Sequence, residues 1–189
     1  MPATPHRDAS ASARAFTLLE LLAVVAILGI AAAMMIPSMS ETGVLRVQAA
    51  VRTVVSDITF AQSDAVAFQE RRALVFDPDT SSYTLVSVPG NEVDPDNNTM
   101  YDPTRPGGRY VVNFTDESFG GARITAVNFD GGNTLIFDAL GGPVAAADSD
   151  EPGSGGTITI VGSGSTFIVT VEAFTGRVTV AREPDGGGG

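Results

Sequence analysis

The chain has no cysteine, no lysine and a single histidine, His6. Without cysteine there are no disulfides, no thiolate metal sites and no thiol nucleophile. With His6 close to the start, the rest of the chain has no imidazole for acid–base work or metal binding. An enzyme built on this chain would have to rely on carboxylate pairs, and an acid-rich surface offers such pairs by chance. No catalytic constellation emerges, so the expectation is a non-enzyme with no cofactor and no metal. Positive charge is also scarce: 11 Arg stand against 22 Asp and Glu, for a net charge of −11. Such a body repels a phosphate backbone, so a nucleic-acid partner is disfavoured. What is present is 189 residues, 43% of them apolar, enough for one ordinary domain and an appendage.

The strongest signal is the apolar run FTLLELLAVVAILGIAAAMMI over residues 16–36. At about 1.5 Å per residue this is enough helix to cross a bilayer core. The polar stretch before it, with Arg7 and Arg14 against Asp8, stays in the cytoplasm by the positive-inside rule, and the rest crosses. The run contains one charge, Glu20, which costs about 2.5–3.5 kcal/mol at mid-bilayer and less near an end. Either Glu20 snorkels to the headgroups or it has a cationic partner. No Lys or Arg lies within residues 16–36, but a cut just before Phe16 would create an amine that is mostly protonated at neutral pH.

The stretch Ala15-Phe16-Thr17-Leu18-Leu19-Glu20 resembles the class III leader of type IV prepilins and type II secretion pseudopilins. The resemblance implies cleavage between Ala15 and Phe16 by a prepilin peptidase, then N-methylation of Phe16. It implies that Glu20 meets the terminal amine of a neighbouring subunit during assembly. Gly29 and Pro37 fall where the family places a glycine and a proline, and both residues weaken a helix, so the kink is expected between them. The family normally has glycine before the cut where this chain has Ala15, which implies slower processing.

After the anchor, Val44, Val47, Val51, Val54, Ile58, Ala61, Ala65 and Phe68 recur at steps of three and four. That spacing predicts one amphipathic helix packed on a sheet. Arg46, Arg52, Asp57, Gln62, Ser63 and Gln69 fall off this stripe, and Arg71-Arg72 reads as a solvated helix end. The period then changes to two. Strands are predicted over residues 73–77, 83–88, 109–115, 122–130, 133–138, 157–161, 165–173 and 177–182. The expected fold class is α+β, a long N-terminal helix on an antiparallel sheet region. The expected organisation is a leader over 1–15, a membrane and assembly helix over 16–36, its amphipathic continuation over 37–72, a periplasmic β domain over 73–185 and a glycine tail over 186–189.

The segments Thr134–Gly142, Gly156–Ile160, Phe167–Val171 and Thr175–Val180 are similar to the H-type minor pseudopilins and the related T-type minor pilins. In these a strand end F-x-x-x-G precedes a hairpin closing with T-G-R-V-x-V. The resemblance implies a minor pseudopilin of a type II secretion system, held in the bacterial inner membrane by one span with its C-terminal domain in the periplasm. Its implied partners are prepilin peptidase, other pseudopilins or pilins, the inner-membrane assembly platform and membrane lipid. The alternative is a T-type minor pilin for pilus priming or DNA uptake. A third reading is an uncleaved membrane-anchored domain.

Three weaker signals read as structural. The acidic loop from Glu92 to Asn98 lacks the EF-hand pattern, because Thr99 and Arg105 fall where Gly and Glu are required counting from Asp94. Gly176 serves a turn, and Arg177, surrounded by Glu172, Glu183 and Asp185, pairs with a carboxylate. Gly162–Ser165 is a turn without the Lys and following helix of a phosphate loop.

Overall fold

The computed structural model describes residues 17–183, without the side chains of residues 33–42. The chain divides into two compact units, Met1–Met39 and Ser40–Gly189. One helix, α1 (Leu18–Phe68), supplies residues to both.

In the second unit α1 is followed by two antiparallel sheets. The first has the order β3-β2-β1-β5-β6, built from β1 (Arg71–Asp77), β2 (Ser82–Val88), β3 (Val111–Asn113), β5 (Thr134–Phe137) and β6 (Pro143–Val144). The second has the order β4-β7-β8-β9, built from β4 (Arg123–Phe129), β7 (Gly155–Gly162), β8 (Ser165–Glu172) and β9 (Val178–Glu183). The fold class is α+β, a long helix followed by antiparallel sheets. Every predicted strand has its counterpart. The unpredicted β6 is two residues long and pairs Val144 with Ile136, too short for an alternating pattern to show.

The core follows from the helix stripe. Val47, Val51, Val54, Ile58, Ala61 and Ala65 are all buried, packed with Leu74, Tyr83, Leu85, Phe137, Ile158 and Val169 from both sheets. Phe68, expected on the stripe, is exposed because the helix stops there. The stop is a Schellman turn. Gln69 has a left-handed backbone at φ 53°, and the Glu70 N–H donates to the Ala65 carbonyl at 3.2 Å. The Gln69 amide adds bonds to the Val66 and Ala139 carbonyls at 2.8 and 3.1 Å.

The expected continuation of the helix to residue 72 is therefore corrected. Arg71 and Arg72 open β1 and are no solvated helix end. Arg72 is buried, with Nε bonded to Asp64 at 2.5 Å, Nη1 to Glu70 at 2.6 Å and its guanidinium 5.6 Å from the Phe68 ring centre. Arg71 reaches across to the Ala147 carbonyl at 2.7 Å and to Asp150, fixing the loop between β6 and β7.

Asp57 is a second correction. It was expected on the polar face and is buried against the first sheet. Backbone pairing explains how. The loop after β2 returns beside it, with the Met100 N–H on the Leu85 carbonyl at 2.9 Å and the Leu85 N–H on the Tyr110 carbonyl at 3.0 Å. This carries Tyr110 to the helix, where its hydroxyl donates to Asp57 at 2.9 Å, and the Tyr83 hydroxyl donates at 2.6 Å. Burial raises the Asp57 carboxyl above its usual value, and the two hydroxyls only partly offset it. The same contact pushes the Tyr110 hydroxyl up to about 12, again with burial as the main cause.

A raised folded value means the folded state holds this proton more tightly than the unfolded one. The Asp57 contribution is full below the unfolded value and fades as pH rises through the folded one. Asp57→Asn keeps a side chain that can accept from Tyr83, and it removes the titration. Urea unfolding of wild type and variant from pH 4 to 8 is expected to show the variant gaining relative stability as pH rises. A constant difference across that range would contradict the assignment.

Gln62 also leaves the solvated face. Its Nε2 donates to the Gly141 carbonyl at 2.7 Å and to the Thr175 carbonyl at 2.9 Å. Gly141 lies between β5 and β6 in the first sheet, and Thr175 lies in the β8–β9 turn of the second. A side chain on Gly176 would put its Cβ 2.6 Å from Gln62 Nε2 and 2.9 Å from Phe137, and the backbone there has φ +64°. The two C-terminal sequence signatures thus meet at one helical amide, and only glycine fits the contact.

Candidate assembly site

The described part of the first unit begins at Thr17, whose hydroxyl accepts the Glu20 N–H at 3.2 Å. The Thr17 carbonyl accepts the N–H groups of Glu20 and Leu21, both at 3.1 Å. Thr17 is therefore the N-cap of α1, and Thr17-Leu18-Leu19-Glu20 has the capping-box spacing, with Glu20 in the first turn. The carboxylate sits where the helix dipole favours negative charge. The sequence carried this signal as T-x-x-E, hidden inside an apolar run.

Beyond the cap, the helix has no polar face among the described side chains of this unit. Leu18, Leu19, Leu21, Leu22, Val25 and Ile27 are between 59% and 79% exposed, and at 100° per residue they point all around the axis. Burying each of these side chains is worth roughly 1.5–3 kcal/mol. A helix that is apolar on every side is one that lipid or other helices cover. Among the described residues no helix is long and apolar enough to cross a membrane. Described side chains of this unit end at Ala32, which is short of the roughly 20 residues a span needs.

Glu20 and Gly29 are both on α1, and the helical assignment continues through Gly29 and Pro37. A side chain at Gly29 would meet nothing within 4 Å. Ala15 and Phe16, the expected cleavage and methylation positions, lie outside the described residues, as do the leader and the glycine tail.

The remaining polar signals resolve locally. Asp94 spends its oxygens on its own turn, accepting the N–H groups of Asp96 at 3.0 Å and Asn97 at 3.1 Å and the Asn97 side-chain amide at 2.7 Å. Among the described residues no group of three His, Cys, Asp or Glu is placed to hold a metal ion. Arg177 pairs with Glu172 at 2.6 Å, as expected from its acidic surroundings.

Comparison with known proteins divides along the chain. No curated protein matches it in sequence. Solved structures that resemble it include the minor pseudopilin EpsH of the Type 2 Secretion System of Vibrio cholerae. That match has a TM-score of 0.47 at 12% identity and covers 72% of this chain and 96% of that one. They also include the type IV minor pilin FimU of Pseudomonas aeruginosa, with a TM-score of 0.44 at 16% identity, covering 73% of this chain and 93% of that one. The family described as the prokaryotic N-terminal methylation motif matches residues 10–36, the stretch that holds Ala15, Phe16 and Glu20. Residues 10–36 thus match a prokaryotic N-terminal methylation motif, and the capped apolar start of α1 lies inside it.

Proposed function

We propose that this chain is a minor subunit of a pilin-like filament, and that the filament is the periplasmic pseudopilus of a type II secretion system. The observation that carries the reading is the capped helix of the first unit. It is apolar on every side, holds one carboxylate in its first turn, and lies within the methylation motif. In this reading prepilin peptidase cuts between Ala15 and Phe16 and methylates Phe16. The chain waits in the inner membrane with its C-terminal body in the periplasm. The assembly platform then transfers α1 from lipid to a bundle of other pilin helices. The exchange is cheap because one apolar surround replaces another, and Glu20 is compensated by the Phe16 amine of a neighbour. Gly29 and Pro37 give α1 its place to bend.

DNA uptake, one role of the alternative T-type pilin, fits the body less well. Arg177 in the last hairpin is committed to Glu172, and the net charge is −11.

Intact-mass measurement of protein isolated from its host tests the reading. The expected mass is that of a chain starting at Phe16 with one added methyl group, and a chain starting at Met1 overturns it. Deletion in the host separates the two filament types. Loss of protein export with pili intact supports the secretion role, and the reverse assigns the subunit to pili.

A further inference from the structure

The carbonyl attacked when the leader is removed is that of Ala15, only a few positions before Leu18, the first residue of α1. In an α-helix each carbonyl accepts the N–H four residues on. If α1 ran back by one more turn, the Ala15 carbonyl would take the Leu19 N–H. The Phe16 carbonyl would take the Glu20 N–H. A peptidase needs the scissile carbonyl free and turned toward its own groups, and a helical carbonyl is bonded along the axis.

The sequence before the cut does little to oppose such a helix. Residues 9–15 read Ala-Ser-Ala-Ser-Ala-Arg-Ala, and alanine and arginine are among the strongest helix formers. Ala15 itself stands where the resembled family normally has glycine, a residue that weakens a helix.

Thr17 supplies the stop. The Glu20 N–H is the donor needed to carry the helix back to Phe16, and it is spent on Thr17. It meets the Thr17 hydroxyl at 3.2 Å and the Thr17 carbonyl at 3.1 Å. Thr17 has no helical assignment, and α1 starts at the next residue. A capping hydroxyl stabilises a helix that starts there over one that starts earlier.

We propose that Thr17 is a positioning residue for leader removal, its hydroxyl ending α1 so that the Ala15–Phe16 bond reaches the peptidase outside the helix. In the cut the bond between the Ala15 carbonyl carbon and the Phe16 nitrogen breaks and water adds across it. The hydroxyl stays on Ala15 as a carboxyl, and the proton goes to Phe16, which gains a free amine. Thr17 acts within the processing step of the proposed function, on which this inference rests, and does there what a glycine before the cut would do.

Cleavage of the full chain in detergent by purified prepilin peptidase tests it, with initial rates measured over a range of chain concentrations. Thr17→Ala should lower kcat/KM by about fivefold, the factor that one lost cap represents. The loss should lie in KM, because only the unwound fraction of the chain can bind. Thr17→Val keeps the shape without the hydroxyl and should match Thr17→Ala. Thr17→Ser also caps and should stay within about twofold of wild type. Ala15→Gly added to Thr17→Ala should restore the rate, because glycine stops the helix by another route. Carbon chemical shifts of Ala13 and Ala15 in the uncut chain should move toward helical values in Thr17→Ala and return in the double variant.

Thr17→Ala cut as fast as wild type overturns the inference, as does Thr17→Ser as slow as Thr17→Ala. A loss that lies in kcat, or that Ala15→Gly leaves in place, also overturns it, since the hydroxyl would then act on the peptidase itself. If wild type is cut before Phe16 and the Thr17 series is flat, this inference fails and the proposed function stands. If wild type is not cut there, both fail.

Discussion

Arg72→Met is expected to destabilise the body by about 3–5 kcal/mol, the usual cost of removing one partner from a buried ion pair. The guanidinium lies among Asp64, Glu70 and the Ser87 hydroxyl, and the Asp64 side chain is only 11% exposed. Without Arg72 the Asp64 carboxylate is left largely buried with no cation beside it. Urea unfolding of the full chain in detergent, followed by tyrosine fluorescence, reports the body, since Tyr83 is fully buried. The double variant Asp64→Leu/Arg72→Met should recover most of the loss, because well-packed apolar side chains often replace a buried pair at little cost. If the single variant unfolds within 1 kcal/mol of wild type, the pair does not hold the helix end to β1. Arg72 also keeps the Glu70 carboxyl below its usual value. That part of the stability is present above the unfolded value and fades as pH falls.

The second large effect concerns assembly. Under the proposed function, Glu20→Val should still insert into the membrane, more readily than wild type, and its entry into filaments should fall to background. Sheared filaments and membranes, each probed for the subunit, give the measurement. The structure adds a control that sequence alone would not suggest. Glu20 occupies the capping-box position behind Thr17, and glutamine serves that position as well as glutamate does. Glu20→Gln therefore keeps the cap and removes the charge. If Gln assembles as poorly as Val, the carboxylate acts through a cation in the neighbour. If Gln assembles like wild type, its work is local, at the helix start, and the intersubunit pairing is wrong.

Much of the architecture could be read from period alone. Six of the eight stripe positions between Val44 and Phe68 are buried, because steps of three and four leave one face on which apolar groups can meet. The strands followed from period two and their Gly-rich turns. The errors have separate causes. Asp57 looked like a surface residue because its burial depends on Tyr83 and Tyr110, the latter more than fifty positions away and brought in by loop pairing that leaves no local pattern. The helix end was placed too late because Gln69 adopts a left-handed backbone that usually signals itself with glycine. Arg72 looked solvated because its partners come from α1, the linker and β2. The Thr17 cap is spelled T-x-x-E and went unrecognised because it sits at the start of an apolar run.

Gln62 gives the two sheets a common fate. Its single amide holds the β5–β6 loop and the β8–β9 turn at once, so beside the shared core the two sheets meet α1 at one common polar point. Under the proposed function, in which the subunit is drawn by its helix, both sheets would share the load at this point.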